Sequence, residues 1–172
     1  FRTVDGSCHA WPEGQQADGY LLIPQGKGPF PAVFVPFYEP LTSIGRGTKG
    51  QGTHDYGLQL VRRGFVTLSI GTPGSVEKIG LDTRQLLTEA GMERRRQPLT
   101  LLAYTAANCH TALAQMPEVD PERIGVIGLS YGGKWSMFAS CLYDKFACAV
   151  WSDPGIVFNE GNGNVNYWEP WY

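Results

Sequence analysis

The sequence predicts an α/β domain built on a mainly parallel sheet with helices on both faces. Short, nearly continuous apolar runs such as Pro31 to Pro36 and Phe65 to Ile70 read as strands buried on both sides. Amphipathic stretches separate these runs, as the crossovers between parallel strands require. A chain of 172 residues with 42% hydrophobic and only 17% charged side chains can also bury one substantial core, which excludes a disordered segment.

The elements follow in order. Gly19 to Pro24 is a first strand, closed by the turn-rich Gln25-Gly26-Lys27-Gly28-Pro29 before Pro31 to Pro36 forms a second. Tyr56, Leu58, Leu60 and Val61 lie on a helical stripe, with Thr53 as the expected N-cap and Gly64 at the position of a C′ glycine. Phe65 to Ile70 is the next strand. Residues 71–96 are polar, glycine-rich and then charged at Glu93-Arg94-Arg95-Arg96, and read as a lid-like connection. Leu99, Leu102, Ala106, Cys109 and Leu113 recur at three and four residues, the mark of a long helix that must stop before Pro117. A strand from Arg123 to Gly128, a helix from Tyr131 to Tyr143 and a strand from Ala147 to Trp151 complete the alternation.

Charge and composition exclude several classes. Fourteen Lys plus Arg against sixteen Asp plus Glu give a formal charge of −2, without the basic excess that nucleic acid demands. No window approaches the ~18 apolar residues of a membrane span. The four cysteines show no CxxC pairing, and no histidine stands at ligand spacing from any two of them, so neither a metal nor a disulfide framework is expected. Cys109, Cys141 and Cys148 sit in apolar stretches and read as small buried hydrophobes.

Ligands of a parallel α/β sheet bind beyond the carboxyl ends of its strands. One such position carries chemistry. Gly128-Leu129-Ser130-Tyr131-Gly132-Gly133 fits G-x-S-x-G between a strand and a helix, where small residues allow a tight turn that exposes the serine hydroxyl. The amide of Tyr131 would face a bound acyl carbonyl, and the helix start would favour a developing oxyanion.

With this motif the chain resembles the α/β-hydrolase superfamily, and Asp120 to Gly133 is similar to the dienelactone-hydrolase and acetyl-xylan-esterase branch. Prolyl-oligopeptidase-like peptidases share a similar elbow. The resemblance implies a serine ester hydrolase of α/β-hydrolase fold. Ser130 is its nucleophile, Tyr131 one oxyanion donor, and a second donor lies among Phe37, Tyr38 and Glu39, with Tyr38 the first choice. It implies no cofactor and no metal. The implied substrate is a small-molecule or carbohydrate ester.

The family order is Ser, then Asp or Glu, then His, yet His9, His54 and His110 all precede Ser130. The expectation is therefore that residues 1–172 form the N-terminal portion of a single α/β-hydrolase domain, incomplete at the C-terminus, with the base and the rest of the fold supplied by further sequence or by a second chain. Some members take their acid from the end of the sixth strand, where this chain has Asp153. An Asx turn before Pro154 is the plainer reading of that residue. His54 falls at the start of the first helix, as a surface imidazole or a substrate contact, and His110 reads as a packing residue. The aromatic tail from Phe158 to Tyr172 could stack on sugar rings or plug the remainder of the fold. A peptidase and a non-catalytic hydrolase-fold binding domain are the alternative functions.

Overall fold

The structure, a computed structural model, describes residues 1–8, 17–47, 53–71 and 98–155. The lid-like connection beyond Gly71, the tail after Gly155 and His9 lie outside the described residues.

Among the described residues six strands form one sheet: β1 (Arg2–Cys8), β2 (Ala17–Ile23), β3 (Phe30–Pro36), β4 (Val66–Ile70), β5 (Val119–Leu129) and β6 (Cys148–Ser152). Their spatial order is β1-β2-β4-β3-β5-β6. From β4 to β6 every pairing is parallel, with Pro36 opposite Ile70, Phe34 opposite Val126, and Leu129 opposite Ser152. β1 and β2 run antiparallel at the far edge, Arg2 opposite Ile23 and Gly19 opposite Ile70. The sheet is thus mainly parallel, as expected, with an antiparallel ribbon added. β1 went unread because Thr3, Asp5 and Ser7 alternate with little apolar content, and Val4 is exposed. An edge strand held by its ladder needs no buried face.

Four helices cover the sheet among the described residues: α1 (Pro40–Ser43), α2 (Tyr56–Val61), α3 (Pro98–Ala114) and α4 (Tyr131–Leu142). The two-residue period of β2 divides the core, since Leu22 packs with Ile44 and Val61 while Ile23 belongs to the larger cluster on the other face. That larger cluster joins Phe34, Ile70, Ile124 and Val126 to Leu102, Ala106, Cys109 and Leu113 of α3 and to Tyr131, Trp135 and Ala139 of α4. The Trp135 indole donates to the Leu102 carbonyl at 2.8 Å and meets Phe34 edge-on at 6.0 Å, locking α3 to α4 over the sheet. None of the helices among the described residues is long and apolar enough to cross a membrane.

Several sequence expectations are corrected. The N-cap of α2 is Asp55, while the Thr53 hydroxyl bonds the His54 ring at 2.9 Å; Gly64 does close the helix region, with φ +89°. Asp120 to Arg123 is a bulge within β5: Asp120 accepts from the Glu122 amide at 3.1 Å and the Arg123 guanidinium at 2.7 Å, and the ladder resumes at Ile124. α1 was not anticipated, because its cap is a buried Glu39 carboxylate that accepts from the Thr42 amide at 3.0 Å. Cys109 is buried, but Cys141 and Cys148 are exposed. Cys148 stands on β6, the last strand of the sheet, where Val150 and Trp151 are also exposed. Apolar context in sequence does not by itself bury the residues of a strand at the edge of the described sheet.

Candidate active site

The turn between β5 and α4 brings the fold to its carboxyl edge. Ser130 has φ 55° and ψ −117°, outside the ordinary regions for an L-residue. Its carbonyl accepts from the Lys134 amide at 2.9 Å, which makes it the N-cap of α4. An N-cap serine normally turns its hydroxyl back onto the helix amides. Here no side-chain cap bond forms, so the strained backbone withholds the hydroxyl from the helix.

Close packing enforces this turn. A Cβ on Gly128 would overlap the Gly132 carbonyl, one on Gly132 would overlap the Pro36 carbonyl, and one on Gly133 would overlap the Ser152 carbonyl. The three glycines let α4 start directly against the ends of β3, β5 and β6. The Ser130 amide completes the clamp by donating to the Ser152 carbonyl at 2.9 Å.

On the β3 side the wall is aromatic. Tyr38 stacks on Tyr131 with centroids 4.8 Å apart, and Phe37 lies edge-on to Tyr38 at 5.1 Å and stacks on His54 at 6.1 Å. The Phe37 amide donates to the Ile70 carbonyl at 3.1 Å, extending the β3 ladder. Of the three residues proposed to offer a second oxyanion donor, Phe37 is therefore committed elsewhere, leaving Tyr38 and Glu39. The Tyr131 ring is buried, and burial first, then the neighbouring Tyr38, pushes its phenol well above the ordinary range. It is neutral and structural, while its amide lies at the first position of α4.

The β6 side is polar. Asp153 follows β6 directly, also with positive φ, 48°, and its carboxylate accepts from the Ser152 hydroxyl at 2.9 Å. Tyr56, on the first turn of α2, has its phenol pKa raised by burial and then by the charge of Asp153. Sequence reading placed Tyr56 only on an apolar stripe. Its signal was position: α2 lies in the crossover from β3 to the parallel β4, which leaves the sheet at its carboxyl edge.

The structure thus gathers Ser130, Tyr131, Tyr38 and Asp153 at one edge. Among the described residues, neither His54 nor His110 bonds the Ser130 hydroxyl. His110 lies on α3, bound to the Lys145 carbonyl at 3.1 Å.

No protein-family model matches the chain, and no curated protein does. Solved structures do. A protein from Bacteroides fragilis provisionally described as an acetyl xylan esterase superposes with a TM-score of 0.67 at 18% identity, over 84% of this chain and 43% of its own. The α/β hydrolase GrgF from a Penicillium species gives 0.57 at 17%, over 88% and 45%. A Bacteroides ovatus protein provisionally described as a dipeptidyl aminopeptidase IV gives 0.59 at 23%, over 84% and 20%. The chain spans between 20% and 53% of the lengths of such solved chains. The resemblance read from the sequence holds at the level of architecture: the chain has the α/β-hydrolase fold.

Proposed function

We propose that this chain is the nucleophile-bearing part of a serine ester hydrolase that works through an acyl-enzyme, with an acyl group on a carbohydrate as the substrate class. The observation that carries the reading is the strained backbone of Ser130, which frees its hydroxyl from the cap it would otherwise make. Strain of this kind persists only where surrounding structure enforces it, and it clusters at functional sites.

In this mechanism the Ser130 Oγ attacks the ester carbonyl carbon. The carbonyl oxygen becomes an oxyanion, held by the Tyr131 amide and by the amide of Tyr38 or Glu39. A histidine outside the described residues takes the serine proton and delivers it to the departing alcohol; Asp153 is the candidate carboxylate for orienting that histidine. Water, deprotonated by the same base, then attacks the acyl-enzyme and releases the acid. Xylan-type esters enter as substrates through the fold neighbour described as an acetyl xylan esterase.

The test uses the full-length protein. A fluorophosphonate should label it, and Ser130→Ala should abolish labelling. Hydrolysis of p-nitrophenyl acetate in preference to a prolyl anilide supports the esterase, and the reverse supports the peptidase suggested by the aminopeptidase-like neighbour. Absence of labelling in the folded wild type assigns the domain to ligand binding alone.

A further inference from the structure

We propose that His54 is a specificity-determining residue of the Ser130 site: with Phe37 it forms a wall on which the sugar ring of the ester packs, and its Nε2 bonds a hydroxyl of that sugar. The inference rests on the serine-hydrolase reading above and names the group that recognises the alcohol portion of the substrate.

Contacts tie this wall to the Ser130 turn. β3 is the sheet neighbour of β5, so Phe37, the residue after β3, stands about one strand spacing, ~4.8 Å, to the side of the β5 end that carries Ser130. The Phe37 ring also meets α4 itself, its Cδ2 lying 3.5 Å from where a Cβ on Gly132 would stand. The next residue, Tyr38, stacks on Tyr131, which follows Ser130, at 4.8 Å. Phe37 in turn stacks on His54 at 6.1 Å, with the ring planes 28° apart. α4 packs into the larger core cluster and α2 into the smaller one, on opposite faces of the sheet. A ring that touches both the start of α4 and the residue ahead of the α2 cap therefore crosses the carboxyl edge, beside Ser130.

The chemistry of the wall selects its ligand. Phe37, Tyr38 and His54 are all half-buried, so their rings keep surface for a substrate. His54 is held by the stack on Phe37 and by the Thr53 hydroxyl, which bonds Nδ1 at 2.9 Å. Its Nε2 bonds no described residue. That nitrogen donates in one tautomer and accepts in the other, and a hydroxyl answers either. A pyranose combines an apolar C–H face, which lies on a ring, with hydroxyls around its rim. A phenyl ester brings the flat face and no hydroxyl.

The experiment compares wild type and His54→Phe in the full-length protein on two acetate esters, an acetylated xylo-oligosaccharide and phenyl acetate, with active sites counted by fluorophosphonate labelling. Phenylalanine keeps a ring against Phe37 and removes both nitrogens. The readout is the ratio of the two kcat/KM values. Loss of one substrate hydrogen bond should lower the ratio about five- to tenfold in favour of the phenyl ester, mainly through KM for the oligosaccharide. A ratio that stays at or rises above the wild-type value overturns the proposal, even if both activities fall together, because a merely structural role would weaken both substrates alike. A wild type that cleaves phenyl acetate and leaves the oligosaccharide intact overturns it as well. Failure of Ser130→Ala to remove activity is a separate result, which overturns the serine-hydrolase reading itself.

Discussion

The Ser130 amide donates to the Ser152 carbonyl across the ends of β5 and β6, setting Ser130 and Asp153 side by side at the sheet edge. They are also the two non-glycine residues with positive φ among the described residues. Both strained positions thus share one corner of the fold, linked by one hydrogen bond.

Ser130→Gly should therefore stabilise the protein. At an ordinary serine N-cap, glycine costs a few tenths of a kcal/mol. At φ 55° glycine removes the Cβ penalty, and no cap bond is lost, so a gain of up to about 1 kcal/mol is expected. Denaturant unfolding reads the sign, and fluorophosphonate labelling should vanish in the same variant. A destabilised glycine variant would contradict the assignment of strain to Ser130.

Asp153→Asn separates catalysis from turn formation. Asparagine tolerates the left-handed region and keeps an oxygen for the Ser152 hydroxyl, so thermal stability should hold. Loss of the negative charge should lower kcat of the full-length protein at least about a hundredfold if the carboxylate orients the base. An unaltered kcat would leave Asp153 with the turn alone.

Gly132→Ala tests the packing that enforces the turn. The new methyl would collide with the Pro36 carbonyl, which belongs to β3 and cannot retreat without disturbing the sheet. A loss of about 2 kcal/mol or more is expected, with loss of labelling. Gly64→Ala is the control: φ is +89°, but nothing lies within 4 Å of its Cβ, so only the conformational cost of about 1 kcal/mol applies. Equal losses at the two sites would refute the packing argument.

The parallel half of the sheet was legible because β3 and the Ile124 to Leu129 part of β5 are near-continuous apolar runs and β4 carries Val66, Leu68 and Ile70, and the Ser130 turn because glycine spacing encodes its close contacts. β1 was not, since an exposed edge strand leaves no hydrophobic period. The commitment of the Phe37 amide to Ile70 was equally invisible, being a property of strand register and not of residue type. Cys148 misled because burial depends on where β6 falls in the strand order, at the edge of the described sheet, which no residue in the strand itself encodes. Tyr56 carried an apolar-stripe signal that concealed its polar tip.

His110 makes stability depend on pH. Its ring is buried edge-on to Tyr143 at 5.3 Å and Phe146 at 5.1 Å, with Nε2 3.1 Å from the Lys145 carbonyl and Nδ1 3.4 Å from the Tyr143 hydroxyl. A neutral imidazole satisfies both, donating from Nε2 and accepting at Nδ1. Burial lowers its pKa from 6.5, the Lys145 carbonyl restores part of this, and the Lys145 charge lowers it further. The unfolded chain therefore binds the proton more readily, so stability is full above pH 6.5 and falls as pH drops from 6.5 toward the lower native value. Glu122 and Asp144 line the same surface cavity as His110 and Lys145. His110→Gln retains an N–H for the Lys145 carbonyl but does not titrate. Between about pH 8 and about pH 5.5 the wild type should lose more of its urea midpoint than the variant. Parallel midpoints would show that His110 is protonated equally in both states, and the neutral ring would have to be abandoned.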